Sequence, residues 1–419
     1  MKTTKSRLLL PALSCAAVLL WLGCDNGGKF VNSAPSDLEI TVSKCYVVTG
    51  GTVKLTGGAT DEDGDSLTYY WKATRGSFIP TSAIGDTLTW RASSEAGTVT
   101  ITLTVSDGIT ESSTTRAITV CAQFPTLIST SRAIENKGYP YILTNITPLR
   151  IASGVTLTIE PGVTIIIDSA TGGFEIYGHL IARGTSALGI KMQGNSCTSL
   201  SGLWAGLYLI EGNSQATIEN LDLSMSTDGI QVSDGAAATI RSCKLYDNTN
   251  MAISVLNEGS VVSIRSCEIW DNGAGIYVRN AVTAIKTSSI KYSSGNGVEV
   301  DFSSDTELPA VTIDSCTIGD NGGSGIVLSE RAAPEIHYCA IFSNGEGESA
   351  YGIKLDAYAA TDTVRAENNF WGYASMTEEE ISALIYDKAD NPTYLHAYVS
   401  FTPWLRASPV SLAPPRRKM

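Results

Sequence analysis

A phrase of about two dozen residues recurs through the second half of the chain. Its clearest form reads Ile-x-Ser-Cys-x-Ile/Leu, then a polar turn that ends in Asn, then Gly-Ile-x-Val, as in residues 239–255, 263–278 and 312–328. An apolar residue opens each copy, and these residues are Ile218, Ile240, Ile264, Ile285, Ile313, Ile336 and Val364. Apolar and polar residues alternate within the phrase, which is the spacing of a strand. Because repeats of this length stack around one continuous core, the sequence predicts a right-handed parallel β-helix with one coil per repeat.

Stacking turns equivalent positions into columns of side chains about 4.8 Å apart. One inward column contains Leu221, Cys243, Cys267, Ser288, Cys316 and Cys339. A second inward column contains Leu223, Leu245, Ile269, Ile290, Ile318 and Ile341. The turn closes on a third column, which contains Asn248, Asn272, Asn321 and Asn344. We expect the cysteines to be buried as small apolar side chains and each Asn amide to hydrogen bond to the next coil.

Composition limits the class of protein. The 419 residues carry a formal net charge of −13 and only three histidines. An acidic balance argues against a nucleic-acid partner and is typical of an extracellular surface.

The beginning of the chain has the pattern of an export signal. Lys2, Lys5 and Arg7 precede the apolar run of residues 8–22, so residues 1–23 are predicted to be a signal peptide. The sequence Trp-Leu-Gly-Cys that ends at Cys24 resembles a bacterial lipobox. That resemblance implies lipidation of Cys24, anchoring to the membrane and a location in the bacterial cell envelope, either surface-exposed or periplasmic. Residues 24–35 would then form a lipidated tether.

Residues 36–122 contain short strands with turns every 8–12 residues, which predicts a β-sandwich. The segments DEDGDSLTYYW (residues 61–71) and VSDG (residues 105–108) resemble PKD-like and cadherin-like domains, which are Ig-like. We expect Trp71 to be buried between the two sheets.

Two further features of this domain bear on ligands and crosslinks. Asp61, Asp63 and Asp65 are candidate oxygen ligands for calcium, with Asp107 as a further ligand. The alternative is a solvated acidic turn, where Asp is favoured for backbone reasons. Cys45 and Cys121 lie near the two ends of the domain, and in an exported protein they are predicted to form a disulfide.

Residues 123–405 are assigned to the β-helix, with initial coils in 123–212, regular coils in 213–363 and a closing coil with a cap in 364–405. The initial segment ITPLRIASGVTLTIEPGVTIIID resembles the first coils of bacterial surface β-helix proteins of the pectate-lyase-like superfamily, which includes carbohydrate-binding and sugar-hydrolase types. Thr377 precedes three glutamates and predicts a short capping helix. Residues 406–419 are predicted to be a disordered tail. The expected fold is therefore all-β: an N-terminal Ig-like sandwich, a right-handed parallel β-helix and a short C-terminal helix.

An outward row of basic residues suggests a function. Arg241, Arg265 and Lys286 stack on an acidic protein, although like charges at one strand spacing repel. Together with Tyr246 and Trp270 they are candidates to bind an anionic glycan, since aromatic rings stack on sugars and Arg pairs with carboxylate or sulfate. The alternative is a solvated sheet face on which aromatic residues suit strands.

The sequence favours a binding or structural protein over an enzyme. The predicted partner is an extracellular polysaccharide, and fold alone does not establish this function. The alternative is a polysaccharide lyase, epimerase or glycoside hydrolase. Asp247 and Asp271 are the candidate catalytic carboxylates, because they precede stacked Asn residues in neighbouring coils. Turns also select Asp for backbone reasons, and the acid pairs typical of such enzymes are missing from the sequence.

Overall fold

The computed structural model describes residues 31–198, 200–303, 310–345 and 351–410. The predicted signal peptide, Cys24 and residues 411–419 lie outside this part of the chain. Within it, strands account for almost all regular structure and one short helix is present, so the all-β expectation is confirmed. The described residues contain no helix with the length and hydropathy required to cross a membrane.

The N-terminal domain is a two-sheet sandwich, as predicted. One antiparallel sheet has the strand order Ser36–Val42, Thr52–Thr60, Thr87–Arg91 and Ser77–Ile79. The other contains Thr68–Ala73, Gly97–Ser106 and Glu111–Gln123, and Tyr46–Val48 pairs in parallel with the last of these. Alternate residues of Gly97–Ser106 are buried, which is the period of a strand with one face in a core. Trp71 is 5% exposed in that core, and its predicted burial is confirmed.

The second domain is a solenoid with three parallel sheets, and each coil passes through them in a fixed order. We name the sheets by that order. The first face consists of Arg132–Ile134, Thr156–Ile159, His179–Arg183, Gln215–Glu219, Ala237–Arg241, Val261–Arg265, Val282–Lys286, Val311–Asp314, Glu335–His337, Val364–Arg365 and Val399–Ser400. The second face consists of Tyr141–Leu143, Thr164–Ile167, Ile190–Gly194, Leu221–Ser224, Lys244–Tyr246, Glu268–Trp270, Ser289–Lys291, Thr317–Gly319 and Ala340–Phe342. The third face consists of Leu149–Ile151, Phe174–Ile176, Leu207–Leu209, Ile230–Ser233, Met251–Leu256, Ala274–Arg279, Val298–Phe302, Ile326–Glu330, Ile353–Tyr358 and Ile385–Tyr386.

The predicted columns are present. Ile218, Ile240, Ile264, Ile285, Ile313 and Ile336 are consecutive partners on the first face. All six are buried with 0% exposure, so they form one continuous ladder through the core. The repeat period in the sequence therefore equals one turn of the solenoid.

Corners of the regular coils are turned by residues in the left-handed backbone region. In one coil these residues are Ser242 (φ 54°), Asp247 (φ 55°) and Asn257 (φ 68°). The next coil repeats them as Ser266, Asp271 and Asn280. Short polar side chains tolerate this conformation, which explains why the polar residues of the phrase stand where they do.

The cysteine column lies immediately after the first corner, and its predicted burial is confirmed. Cys243, Cys267, Cys316 and Cys339 are free thiols with at most 1% exposure. Each thiol contacts two carbonyl oxygens; for Cys267 these are Arg265 O at 3.4 Å and Ile240 O at 3.7 Å. Ser288 fills the same column and donates to Lys286 O at 2.9 Å. The thiol or hydroxyl at this position thus donates to backbone carbonyls at the corner. The repeat pattern alone did not predict this role.

The asparagine column forms the predicted amide ladder. Asn248 Nδ2 donates to Asn272 Oδ1 at 2.8 Å, and Asn321 Nδ2 donates to Asn344 Oδ1 at 3.0 Å. Asn248 is 2% exposed, so the ladder runs inside the solenoid. Each step links one coil to the next at the second corner.

The predicted Cys45–Cys121 disulfide is wrong. Cys45 is bonded to Cys197, in a loop of the β-helix, and their Cα atoms are 5.3 Å apart. The strand register explains the error, because Val48 and not Cys45 is the partner of Cys121. Cys45 lies three residues earlier, roughly 10 Å away along the strand. Cys121 is instead a buried free thiol that packs with Ile142 and Ile166 of the solenoid.

The sandwich and the solenoid share a sheet. Glu111–Gln123 pairs in parallel with Tyr141–Leu143, so the second face of the solenoid continues into the sandwich. Lys44 Nζ lies 2.6 Å from Asp168 Oδ2, and Asn195 Nδ2 donates to Tyr46 O at 3.0 Å. These contacts, together with the disulfide, fix the sandwich against the first coils.

The other end of the solenoid is closed by the predicted helix, Glu378–Ser382. Thr377 caps it through a capping box with Glu380, and Ile381 is buried. Arg406, the first residue of the predicted tail, has a defined contact, because its Nη1 donates to Met376 O at 2.7 Å. The predicted tether likewise includes residues with fixed contacts, since Ser33 N donates to Asp63 Oδ2 at 2.6 Å.

Candidate functional site

The three basic residues form a ladder at the edge of the first face. Arg241 pairs in register with Arg265, and Arg265 pairs with Lys286. An acid lies at each end of the ladder: Glu219 is 3.3 Å from Arg241, and Asp314 is 3.8 Å from Lys286. Arg265, in the middle, is exposed and makes no ion pair within the described chain. The ladder therefore presents one uncompensated guanidinium between two partly neutralised cations.

A shallow groove lies beside this ladder on the same face. It has a volume of about 460 Å³, and its floor is made of short outward side chains. One row of the floor contains Thr217, Thr239, Ser263, Ala284 and Thr312, each two positions before a member of the charged row. A parallel row includes Val261 and Val282, which are 48% and 39% exposed. Hydroxyl groups and apolar carbons thus border the basic ladder along the solenoid axis.

The aromatic pair does not share this surface, contrary to the expectation of one combined site. Tyr246 and Trp270 are on the second face, beyond the corner at Ser242. Their rings stack with centroids 4.6 Å apart and planes 7° apart. Each ring thereby covers one face of the other, and Lys291 follows Trp270 in register. A ring face that is covered in this way is not open for stacking on a sugar.

Burial affects the phenol of this pair. It raises the pKa of Tyr246 above its ordinary value, and a hydrogen bond with Ser224 opposes that shift. The neutral phenol is therefore the form present at physiological pH. Tyr246 and Trp270 act as a cross-coil packing pair in this geometry.

A buried lysine continues the aromatic row, and its burial was not predicted from the sequence. Lys291 is 3% exposed, and its Nζ is 3.0 Å from Asp320 Oδ2. The ammonium also lies 5.0 Å from the centroid of the Phe342 ring. Gly319 leaves room for that ring, since a Cβ there would be 2.8 Å from Phe342 Cε2. The register of three successive coils places Lys291, Gly319 and Phe342 in one packed unit.

The two candidate catalytic carboxylates lie in one groove at the corner between the second and third faces. The groove has a volume of about 500 Å³, and its lining includes Asp247, Asp271, Tyr292, Ser294 and Thr249. Leu200 and Ser201, from the loop that follows Cys197, also line the groove. Both aspartates occupy the left-handed corner position, so backbone geometry also accounts for their residue type. The structure thus brings the pair together beside a space that a ligand can enter.

Comparisons with known proteins agree with this architecture. Residues 37–120 match the PKD domain family, and residues 205–370 match the family described as right handed beta helix region. The chain joins a PKD domain to a right-handed β-helix. No curated protein sequence matches it.

Two solved structures resemble the chain in fold. One is the A-module of mannuronan C-5 epimerase AlgE4 of Azotobacter vinelandii, at 16% identity and a TM-score of 0.40, covering 62% of this chain and 76% of that one. The other is the A-module of the AlgE6 epimerase of the same organism, at 14% identity and a TM-score of 0.30, covering 66% of this chain and 91% of that one.

The predicted calcium ligands of the PKD domain are partly assembled. Carboxylate oxygens of Asp61, Asp63 and Asp65 all lie within 4.8 Å of one another. Asp61 Oδ1 accepts from the amides of Asp63 and Asp65, both at 3.1 Å. Its Oδ2 is buried and has no hydrogen-bond partner in the described structure, which fits a cation ligand. Calcium binding by this cluster stays a prediction.

Asp107, the further predicted ligand, is not a member of this cluster. Its Oδ1 accepts from Thr110 N at 2.6 Å, and its Oδ2 accepts from Asn32 Nδ2 at 2.8 Å. The Thr110 amide bond, followed by the Asn32 bond, holds the pKa of Asp107 well below its usual range. Asp107 therefore closes a turn and fastens the end of the tether.

Proposed function

We propose that this protein is anchored in the bacterial envelope and binds an acidic extracellular polysaccharide along the first face of its β-helix. The observation that carries the proposal is the exposed, unpaired Arg265 between two other cations, beside a groove of short side chains. Such a cluster is unusual on a chain with a net charge of −13. In a purely structural role nothing offsets the repulsion between the stacked cations. A bound anionic ligand would offset it.

The geometry suits a polymer that lies parallel to the solenoid axis. The three cations span two interstrand steps, about 10 Å, so successive acidic groups of one chain can each meet a cation. The guanidinium fork pairs with carboxylate or sulfate through two hydrogen bonds. Thr239 and Ser263 offer hydroxyls to sugar hydroxyls, and Val261 and Val282 offer contact to the carbon faces of sugar rings.

Binding of Arg265→Ala to a polyuronate and to a sulfated polysaccharide tests this proposal. We expect wild-type binding that weakens with added salt, and an affinity about fivefold lower in the variant. Arg91→Ala is the matched control, because Arg91 is an exposed arginine of the PKD domain. Equal binding of a neutral glucan, or equal affinity of Arg265→Ala and wild type, would contradict the proposal.

The anchor is tested separately. We expect Cys24→Ala to abolish incorporation of a labelled fatty acid and to release the protein from the membrane fraction. Retention of the label in that variant would exclude lipidation at Cys24, without bearing on the glycan face.

A second candidate function, as a lyase, epimerase or hydrolase, is favoured by the shared groove of Asp247 and Asp271. Incubation with a panel of polysaccharides, followed by assays for unsaturated and reducing ends and for epimerised residues, tests it. Product formation that is lost in Asp271→Asn would establish catalysis there. Binding without any product would leave the first proposal standing alone.

A further inference from the structure

The basic ladder is the middle of a longer row of charged side chains on the first face. The members of this row are in-register partners in successive coils, and each is about 4.8 Å from the next along the solenoid axis. In order they are Arg183, Glu219, Arg241, Arg265, Lys286 and Asp314. The three cations of the ladder are therefore bordered on each side by a carboxylate, and a fourth cation lies beyond one of these carboxylates.

The depression beside this row is long enough for an oligosaccharide. The groove of about 460 Å³ along the ladder meets a second groove of about 240 Å³, and Gln215 and Thr217 line both. Together the two linings extend from Thr156 to Thr312, which lies in the sixth strand after it on the same face. Six interstrand steps amount to about 29 Å. A hexasaccharide that advances by about one coil per sugar residue can therefore lie beside all members of the charged row.

The two carboxylates restrict where the acidic groups of such a ligand can lie. Glu219 and Asp314 have side chains that are 21% and 37% exposed, so both meet solvent along the row. An acidic group of the ligand above either carboxylate would be repelled, because two like charges would lie at close distance. A polymer with an acidic group on every residue meets both carboxylates as soon as it extends past the three cations of the ladder.

A polymer with an acidic group on every second residue avoids both carboxylates in one of its two registers. In that register its acidic residues lie over Arg183, Arg241 and Lys286. Its neutral residues lie over Glu219, Arg265 and Asp314, where their hydroxyl or amide groups can donate to the two carboxylates. Arg265 is then one step from an acidic group on either side, and the guanidinium has enough donors to contact both.

We propose that the first face selects a polysaccharide in which a uronic acid alternates with a neutral sugar, over one that is acidic at every residue. This inference rests on the proposed function and specifies the ligand of the same surface. Glu219 and Asp314 have two roles in it. Each forms an ion pair with a cation of the ladder, and each excludes an acidic sugar from its own position. A purely structural pairing of these acids with Arg241 and Lys286 would produce no such preference.

Calorimetric titration of the full-length protein with two hexasaccharides at one salt concentration tests the preference. One hexasaccharide alternates glucuronate with N-acetylglucosamine, and the other consists of uronate alone. We expect the alternating hexasaccharide to bind about three- to fivefold more tightly, although it carries half as many acidic groups. Nonspecific attraction to the cations predicts the opposite order, because it grows with the charge of the ligand.

The double variant Glu219→Gln/Asp314→Asn tests the assigned cause. We expect it to bind the two hexasaccharides with about equal affinity, mainly because the all-uronate form gains affinity. Glu39→Gln/Glu111→Gln is the matched control, since it removes two exposed negative charges from the PKD domain, and it should keep the preference of the wild type. Each substitution replaces a carboxylate on the protein surface by an amide of similar size, so folding is expected to be retained.

Two results would overturn the inference and leave the proposed function standing. One is equal or tighter binding of the all-uronate hexasaccharide by the wild type, with binding that is weakened in Arg265→Ala. The other is an unchanged preference in Glu219→Gln/Asp314→Asn. Failure of the wild type to bind either hexasaccharide would instead overturn the inference together with the proposed function.

Discussion

Replacing Asn272 by alanine is the most direct test of how the coils hold together. Asn272 is 3% exposed and makes four side-chain hydrogen bonds. Its Nδ2 donates to Leu245 O at 3.0 Å and to Trp270 O at 2.9 Å. Its Oδ1 accepts from Asn248 N at 3.2 Å and from Asn248 Nδ2 at 2.8 Å. The variant therefore strips partners from groups in its own coil and in the preceding one.

The magnitude follows from these contacts. A typical hydrogen bond contributes about 1 kcal/mol net, so the loss of these bonds is expected to lower the free energy of unfolding by about 3–5 kcal/mol. Buried groups left without partners place the effect toward the upper end of that range. Asn250→Ala is the control, because Asn250 is exposed and its amide makes one bond, to Asp228 Oδ1 at 2.9 Å. We expect that control to lose less than about 1 kcal/mol.

Urea denaturation followed by circular dichroism measures the difference, and native-state hydrogen exchange locates it. Because a solenoid opens coil by coil, faster exchange should be confined to amides of the coils around Asn272. A loss in Asn272→Ala no larger than in Asn250→Ala would refute the claim that the buried amide ladder couples the coils.

Three further predictions follow from the structure. The double variant Cys45→Ser/Cys197→Ser removes a crosslink with a sequence separation of 152 residues. Loop-closure entropy sets an upper limit of about 5 kcal/mol on the resulting loss in the free energy of unfolding. Limited proteolysis of this variant should cut the loop after residue 197. Burial raises the pKa of Cys121 from about 9.0 to about 12, so the stability that its neutral thiol contributes is fully present below pH 9 and is lost as the pH rises toward 12. The variant Cys121→Ala should flatten this loss of stability at alkaline pH. In the native protein, Cys121 should resist alkylation at pH 8. Added calcium should raise the melting temperature of the wild type but not of Asp61→Asn; an equal rise in both would exclude the acidic cluster as the cause.

The repeat was predictable from the sequence because its signal is periodic. Ile240 and Ile264 mark the same depth in successive coils, and the spacing of apolar residues alone establishes the register. Asn248 and Asn272 were predictable for the same reason, together with the known tolerance of Asn for turns. Periodicity fixes which residues lie above one another, and it does so without any knowledge of the angles between faces.

The predictions that were wrong depend on information that the periodicity of the sequence does not contain. The corner at Ser242 separates Arg241 from Tyr246, and no spacing rule shows where a sheet turns away from its neighbour. The disulfide failed because the partner of Cys45 comes from another domain, where a nonrepeating loop carries Cys197. Stacked aromatic rings were expected to face solvent, whereas parallel in-register strands turn them toward each other.

The junction between the two domains bears on how the binding face is presented. An uncovered end of a solenoid exposes unpaired backbone groups and favours aggregation. Here Glu111–Gln123 of the PKD domain pairs with Tyr141–Leu143, so the sandwich itself covers the second face at the first coil. The Lys44–Asp168 ion pair and the Cys45–Cys197 disulfide add restraints immediately before Tyr46–Val48, the strand that pairs with Glu111–Gln123. Lys44, Cys45 and Tyr46 are consecutive residues, so the ion pair, the disulfide and the hydrogen bond from Asn195 are concentrated at one place on the junction. The shared sheet and the disulfide therefore join the PKD domain directly to the first coils, while Asn32 and Ser33 of the predicted tether contact Asp107 and Asp63 of the same domain.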